Sequence, residues 1–208
     1  FLGTPYDFKC VGDGPYALYE TYPLVNFQKT NCMAYCEHVL ALSISDSWDN
    51  FFNNLQKIRY QKGLIGMRTR NHYTVADWLP ENNWLLYDAT EDVGGEHVRE
   101  MTRTISHRRF FQKKGIKDLR YVKPDRRITI KYIPSEVIRK VRDGFQNGDI
   151  LALLFAEKED IFSAHMLMVF KEKGAMVIRE SSNSRMTTFE TNFEDWVAKI
   201  EKNKRYAG

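Results

Sequence analysis

Cysteine is scarce in this chain, and the little there is fits no common framework. Cys10, Cys32 and Cys36 are the three cysteines in 208 residues; they cannot all pair, and they follow no metal-ligand spacing. Cys32 and Cys36 stand four apart, on one face of any helix that holds them, where a disulfide between them would be strained. No structural zinc and no cofactor are expected. No apolar run reaches membrane-spanning length, so no membrane span is expected. A signal-peptide pattern is also missing. Because the chain opens on Phe1-Leu2-Gly3-Thr4-Pro5-Tyr6, already inside what reads as structure, removal of a leader stays open and the compartment is not fixed. Repeats and low-complexity linkers are absent. Neither sign of charge dominates: 31 Lys and Arg stand against 27 Asp and Glu, a net charge of +4. The densest basic stretch, Arg103 to Lys131, is broken by Asp118 and Asp125 and reads as a solvated face, so no nucleic-acid partner is expected.

What is present describes a folded protein. Hydrophobic residues make up 43% and aromatics 13%, enough for one substantial core. Residues 1–208 read as a single domain with a polar, basic insertion at about 91–127 that carries one or two short helices. The segment from Cys32 to about Ser45 reads as a buried helix. A second helix, Asp46 to Tyr60, is capped by Asp46 or Ser47 and carries Trp48, Phe51, Phe52, Leu55 and Ile58. Trp84 to Asp88 and Arg127 to Tyr132 are expected strands, and Ile133-Pro134-Ser135 is expected to open a further helix. Beyond Gly148, Asp149–Phe155, His165–Phe170 and Ala175–Arg179 are β-rich, Lys173-Gly174 forms a hairpin turn, and Asn192–Lys202 closes as a helix. Helices first and an antiparallel sheet afterwards predict an α+β fold.

One stretch, Thr30-Asn31-Cys32-Met33-Ala34-Tyr35-Cys36-Glu37, carries a chemical signal. A thiol at the start of a helix feels the positive end of the dipole and the unpaired N–H groups of the first turn, both of which favour the thiolate. His165 opens the apolar strand His165-Met166-Leu167-Met168-Val169-Phe170, which would hold its ring rigidly. A cysteine at a helix start and a histidine on a core strand can form a nucleophile and its base. The alternatives at this point are a buried cysteine packing as a small hydrophobe and a structural histidine. Glu37 reads either as a group for binding an amine or holding a loop, or as a solvent-facing helical glutamate. His38, His97 and His107 lie in polar sequence and carry no site signal.

An ordered series of motifs resembles the N-acetylmuramoyl-L-alanine amidase-like branch of the NlpC-type papain-like cysteine hydrolases. Gly3-Thr4-Pro5-Tyr6 resembles the family's opening. Asn31-Cys32-Met33-Ala34-Tyr35-Cys36-Glu37 resembles its Asp-Cys-x-Thr-x-Val-Glu. Arg59-Tyr60-Gln61-Lys62-Gly63 and Arg70-Asn71-His72-Tyr73-Thr74-Val75-Ala76-Asp77-Trp78 resemble segments peculiar to the branch. Tyr132-Ile133-Pro134, Gly148-Asp149-Ile150 and His165-Met166-Leu167-Met168-Val169 match its closing half.

The resemblance implies a papain-like (NlpC-type) α+β domain, its N-terminal helices packed on an antiparallel sheet. It implies a cysteine amidase that cuts between N-acetylmuramic acid and L-alanine in peptidoglycan or its muropeptide fragments, in the bacterial envelope, periplasmic or secreted. Cys32 would be the nucleophile, His165 the base and acid, and Tyr6 a hydroxyl helping to hold the oxyanion. Cys36 becomes a packing residue where relatives carry valine. Asn31, Glu37, Arg70, His72, Tyr73, Trp78 and Ser181 are the candidates for contacting substrate. The third catalytic place departs from the family: it reads Arg179-Glu180-Ser181-Ser182, and an arginine opposes protonation of a neighbouring imidazole. Glu180 could orient His165 if the strand is shifted by one residue, and Ser181 is the other option. Two further readings are an endopeptidase cutting between D-glutamate and the diamino acid, and, motivated by Arg179, an inactive domain that binds peptidoglycan fragments.

Overall fold

The computed structural model describes residues 1–208. Helix α1 spans Cys32–Ser43, with Asn31 as N-cap accepting a 2.9 Å hydrogen bond from the Ala34 N–H. Helix α2, Trp48–Arg59, is capped by Ser47, while Asp46 bonds the Asn50 side chain instead. Its buried face is Phe51, Leu55 and Ile58, the i, i+4, i+7 stripe of an amphipathic helix. It stops where Lys62 and Gly63 both take positive φ. A π-helical turn, Thr74–Trp78, runs into the short α3 (Leu79–Glu81), and α4 follows at Thr90–Gly94.

Strands β1 (Arg99–Ile105) and β2 (Arg126–Tyr132) pair antiparallel around α5 (His107–Lys113). A second sheet has the order β3-β4-β5-β6, from Ile150–Leu154, Ser163–Glu172, Ala175–Ser182 and Thr187–Asn192, with every neighbour antiparallel. Lys173 and Gly174, both at positive φ, turn β4 into β5, as a two-residue hairpin requires. Helix α6, Phe193–Ile200, is capped by Asn192. This is an α+β fold of helices and antiparallel sheets.

Alternation along β4 sends its side chains to two cores. Met166 and Met168 pack with Tyr35 and Cys36 of α1 and with Phe51, Leu55 and Ile58 of α2. Leu167 and Val169 pack with Phe193, Trp196, Val197 and Ile200 of α6. The sheet therefore lies between α1 with α2 on one face and α6 on the other. An apolar cavity of about 370 Å³ separates β2 from β3; Trp78, Leu86, Ile130, Tyr132, Leu151 and Ala152 are among its walls.

Several elements differ from expectation. Trp84–Asp88 is a turn followed by irregular chain, not a strand. The Leu85 and Leu86 N–H groups bond the Asn82 carbonyl, and the Asn82 side chain caps Ile58 and Trp78, so this apolar run has no strand partner. Residues 91–127 contain strand β1 as well as short helices. Ser135–Val137 forms only a 3₁₀ turn. Strand β6, whose Thr-rich sequence is weakly apolar, pairs with β5 along Val177–Ser182.

Candidate active site

Cys32 is the first residue of α1, and its setting begins with Asn31. The Asn31 carboxamide oxygen caps the helix while its Nδ2 donates to the Phe8 carbonyl at 3.2 Å and to Cys10 Sγ at 3.3 Å. Both Nδ2 hydrogens and the Oδ1 are used in fixing the loop ahead of Cys32. As a residue Cys32 is partly exposed. Burial alone would push its pKa up, but the His165 imidazole, followed by the backbone N–H groups of Met166 and Met33, outweighs this and holds the thiol below its ordinary value. Cys36, one turn on, is completely buried and its pKa is driven well above the ordinary range.

His165 sits on β4 opposite Leu153 of β3. Its Nε2 lies 2.7 Å from Glu180 Oε2, which leaves Nδ1 as the nitrogen for the Cys32 side. The β4–β5 ladder runs from Glu172↔Ala175 to Met168↔Arg179 and ends there. Past that point the strands part, and the Glu180 carboxylate reaches across to the imidazole. Burial pulls the His165 pKa down, but Cys32 and then Glu180 reverse this and hold it at about 9. Arg179 is turned to other partners: Glu190 and Glu172, each at 2.7 Å, and the Phe170 ring. The imidazole thus favours the thiolate of Cys32, and the Glu180 carboxylate favours the imidazolium.

Tyr6 bridges to Thr30, the residue two before Cys32. Burial and then the nearby Cys32 raise its phenol to about 12, so it stays a neutral donor. Ser181 is buried and donates to the Thr30 carbonyl at 3.4 Å, two residues before Cys32.

The other candidates for substrate contact turn inward. Glu37 is buried and pairs with Arg59 at 2.6 Å, and Arg59 also holds the Leu24 carbonyl. Arg70 is spent on Asp13 and Glu20, with Tyr60 donating to the same Asp13 at 2.8 Å. The His72 Nε2 meets the Met67 carbonyl at 2.6 Å and its ring lies against Phe110 and Phe111; burial lowers its pKa to about 3. Tyr73 donates to the Ser106 carbonyl at 3.3 Å, and Trp78 is 2% exposed within the α1–α2 core. These residues hold the loops around the helices together, because each has a partner that is distant in sequence.

Sequence reading also misplaced two histidines. His107, expected in polar surroundings, is buried and bonds Asp77 at 2.7 Å; Arg126 and Lys123 take the other Asp77 oxygen. These contacts overcome burial and lower the Asp77 pKa to about 2. His38 is buried among Phe1, Phe27 and Phe51. No three His, Cys, Asp or Glu side chains gather as a metal-ligand set.

Comparison with solved structures supports this architecture. The Legionella pneumophila protein LPG0564, of the DUF1460 family, is 19% identical with a TM-score of 0.88, over all of this chain and 83% of its own. A Bacteroides uniformis N-acetylmuramoyl-L-alanine amidase is 22% identical with a TM-score of 0.77, over 100% and 91%. A Bacteroides fragilis structure named only provisionally as a xylanase is 22% identical with a TM-score of 0.76, over 100% and 95%. At these identities the likeness is one of fold. No curated protein matches. The sequence itself matches a family signature over residues 1–203, and the chain therefore belongs to the AmiA-like, N-acetylmuramoyl-L-alanine amidase-like family.

Proposed function

We propose that this protein is a cysteine amidase of the NlpC-type papain-like kind, one catalytic domain over residues 1–208 with an insertion at about 91–127. Its substrate is the amide between N-acetylmuramic acid and L-alanine, in peptidoglycan or in released muropeptides. Under this reading it works in the bacterial envelope, periplasmic or secreted. The observation that carries the reading is the His165 imidazole set between Cys32 and a carboxylate, Glu180, 2.7 Å away.

The chemistry is acyl transfer. Cys32 thiolate attacks the lactyl carbonyl carbon, forming the C–S bond as the carbonyl π electrons move to oxygen. Backbone N–H groups at the start of α1 and the neutral Tyr6 hydroxyl stabilise that oxyanion. As the C–N bond breaks, imidazolium His165 gives its proton to the L-alanine nitrogen, which leaves as the amine. Neutral His165 then takes a proton from water as the water attacks the thioester; the acid leaves and the thiolate–imidazolium pair returns. Glu180 fixes the ring's orientation and stabilises its charge in both halves.

The test is incubation of wild type and Cys32→Ala with defined muropeptides, followed by mass spectrometry. Release of the free stem peptide from the sugar by wild type alone is expected. Cleavage between D-glutamate and the diamino acid would instead make it an endopeptidase. Equal products from both proteins would remove Cys32 from the mechanism.

A further inference from the structure

We infer that Arg103, on strand β1, is a positioning residue for His165, acting through the β3–β4 loop that its guanidinium grips. This inference rests on the reading of Cys32 and His165 as a catalytic pair.

Arg103 is 6% exposed and belongs to the segment expected from sequence to be a polar insertion. Its Nη1 donates to the Ile161 carbonyl, and its Nη2 donates to the Phe155 carbonyl at 2.5 Å and the Ala156 carbonyl at 3.3 Å. The guanidinium also lies over the buried Phe162 ring, 5.4 Å from its centroid. No carboxylate forms an ion pair with it. A buried cation satisfied by three carbonyls of one loop orders that loop, because each freed carbonyl would be left without a partner. The loop runs from Phe155 to Phe162 and is closed by the Phe155 N–H bonding the Phe162 carbonyl at 2.8 Å. Lys113 of α5 adds a second tie from the same side, to Asp160 at 3.1 Å.

His165 stands three residues beyond Phe162. Between them the β3–β4 register shifts: Leu153 faces His165 while Leu154 faces Ser163. A bulge decides which side chain is aimed where, and a slip of one residue turns each side chain to the opposite face. On the β5 side the ladder has already ended, and the Glu180 carboxylate on His165 is the side-chain tie to residues 163–167 there. The β3 ladder holds His165–Met168, and His165 is its last regular pair before the bulge, so the loop that Arg103 grips fixes the chain entering that pair. Arg103 touches no reacting atom.

The test is the pH dependence of iodoacetamide alkylation at Cys32, followed by peptide mass spectrometry in wild type, Arg103→Met and Arg103→Lys. Wild type is expected to react as a thiolate well below the pH at which an ordinary thiol ionises. In Arg103→Met the midpoint moves up toward that of an ordinary thiol. The rate at pH 6 falls about tenfold or more, because the thiolate fraction below the midpoint drops tenfold each time the thiol pKa rises by one. At about pH 9.5, above the ordinary thiol pKa, the rates converge. Arg103→Lys keeps the charge but loses the fork and falls between the two. A merely structural role would lower the melting temperature and leave the profile unchanged; that outcome in either folded variant overturns the inference. Should Arg103→Met fail to fold, the lysine variant decides alone. A wild-type profile matching an ordinary thiol overturns the catalytic reading, and this inference with it, whereas a thiolate profile retained in the variants overturns this inference only.

Discussion

Cys32 and Cys36 are separated by one turn of α1 and by opposite electrostatics. The first sits beside an imidazole and two N–H groups; the second is completely buried and driven toward the neutral thiol. Cys10, likewise buried, is pushed up to about 11. Iodoacetamide at about pH 7 is expected to label Cys32 and neither of the others. The proton on His165 persists to about pH 9, above the ~6.5 of an unfolded imidazole. That proton stabilises the fold fully below about pH 6.5, and the gain is lost as pH rises through about 9. Cys32 runs the other way: its lowered pKa stabilises the fold above the ordinary thiol range and loses that effect as pH falls. The two slopes oppose each other, so the pair is read best in activity. kcat/KM is expected to fall above about pH 9 as the imidazolium acid is lost. Glu180→Gln removes the charge that supports the imidazolium. It is expected to move this alkaline limb to lower pH and to reduce kcat on the order of 10²-fold, within the usual worth of general acid–base catalysis. An unmoved limb in the folded variant would remove Glu180 as the group that supports the proposed acid.

At the scale of elements, α1 depends on its cap. Asn31→Ala loses the bond to the Ala34 N–H, typically about 1 kcal/mol, and frees the loop that carries the cysteine. Denaturant unfolding measures the first effect, and slower alkylation of Cys32 the second. The buried Glu37–Arg59 pair joins α1 to α2, so Arg59→Met leaves a carboxylate buried without its cation, at a cost of about 3–5 kcal/mol. Removing both charges together is expected to cost less than removing Arg59 alone. These elements also mark what sequence reveals. The helix start at Cys32, the apolar stripe of α2 and the strand of His165 are local patterns, and each was legible. The choice of Glu180 over Arg179 depends on where the β4–β5 ladder ends, a pairing between strands that no local pattern carries. Arg70, His72 and Tyr73 are candidates for recognition in sequence because they lie in a segment that resembles one peculiar to the family branch. Their partners, Asp13, Phe110 and Ser106, are far off in sequence, and only folding brings them together.

Across the whole molecule, the sheet is pressed between α1 with α2 and α6, and Cys32, His165 and Glu180 meet where β4 and β5 part beside the start of α1. Sequence predicted the α+β class and the order of its main parts. It missed that residues 91–127 contribute a strand whose Arg103 reaches the β3–β4 loop, since a basic run with weak periodicity resembles a solvated face until its acceptors are known. The cavity between β2 and β3 has a volumetric consequence. Void that is eliminated on unfolding makes the unfolded chain and its water occupy less space than the native state, so hydrostatic pressure acts as a denaturant. The roughly 370 Å³ of largely apolar space at that seam has partly exposed walls, so compression is expected to drive water into it and loosen β2 from β3 before it disturbs the β4–β5 pairing. Ala152→Val, which fills part of the void, is expected to raise the midpoint of pressure unfolding followed by tryptophan fluorescence, since Trp78 and Trp196 both line that space.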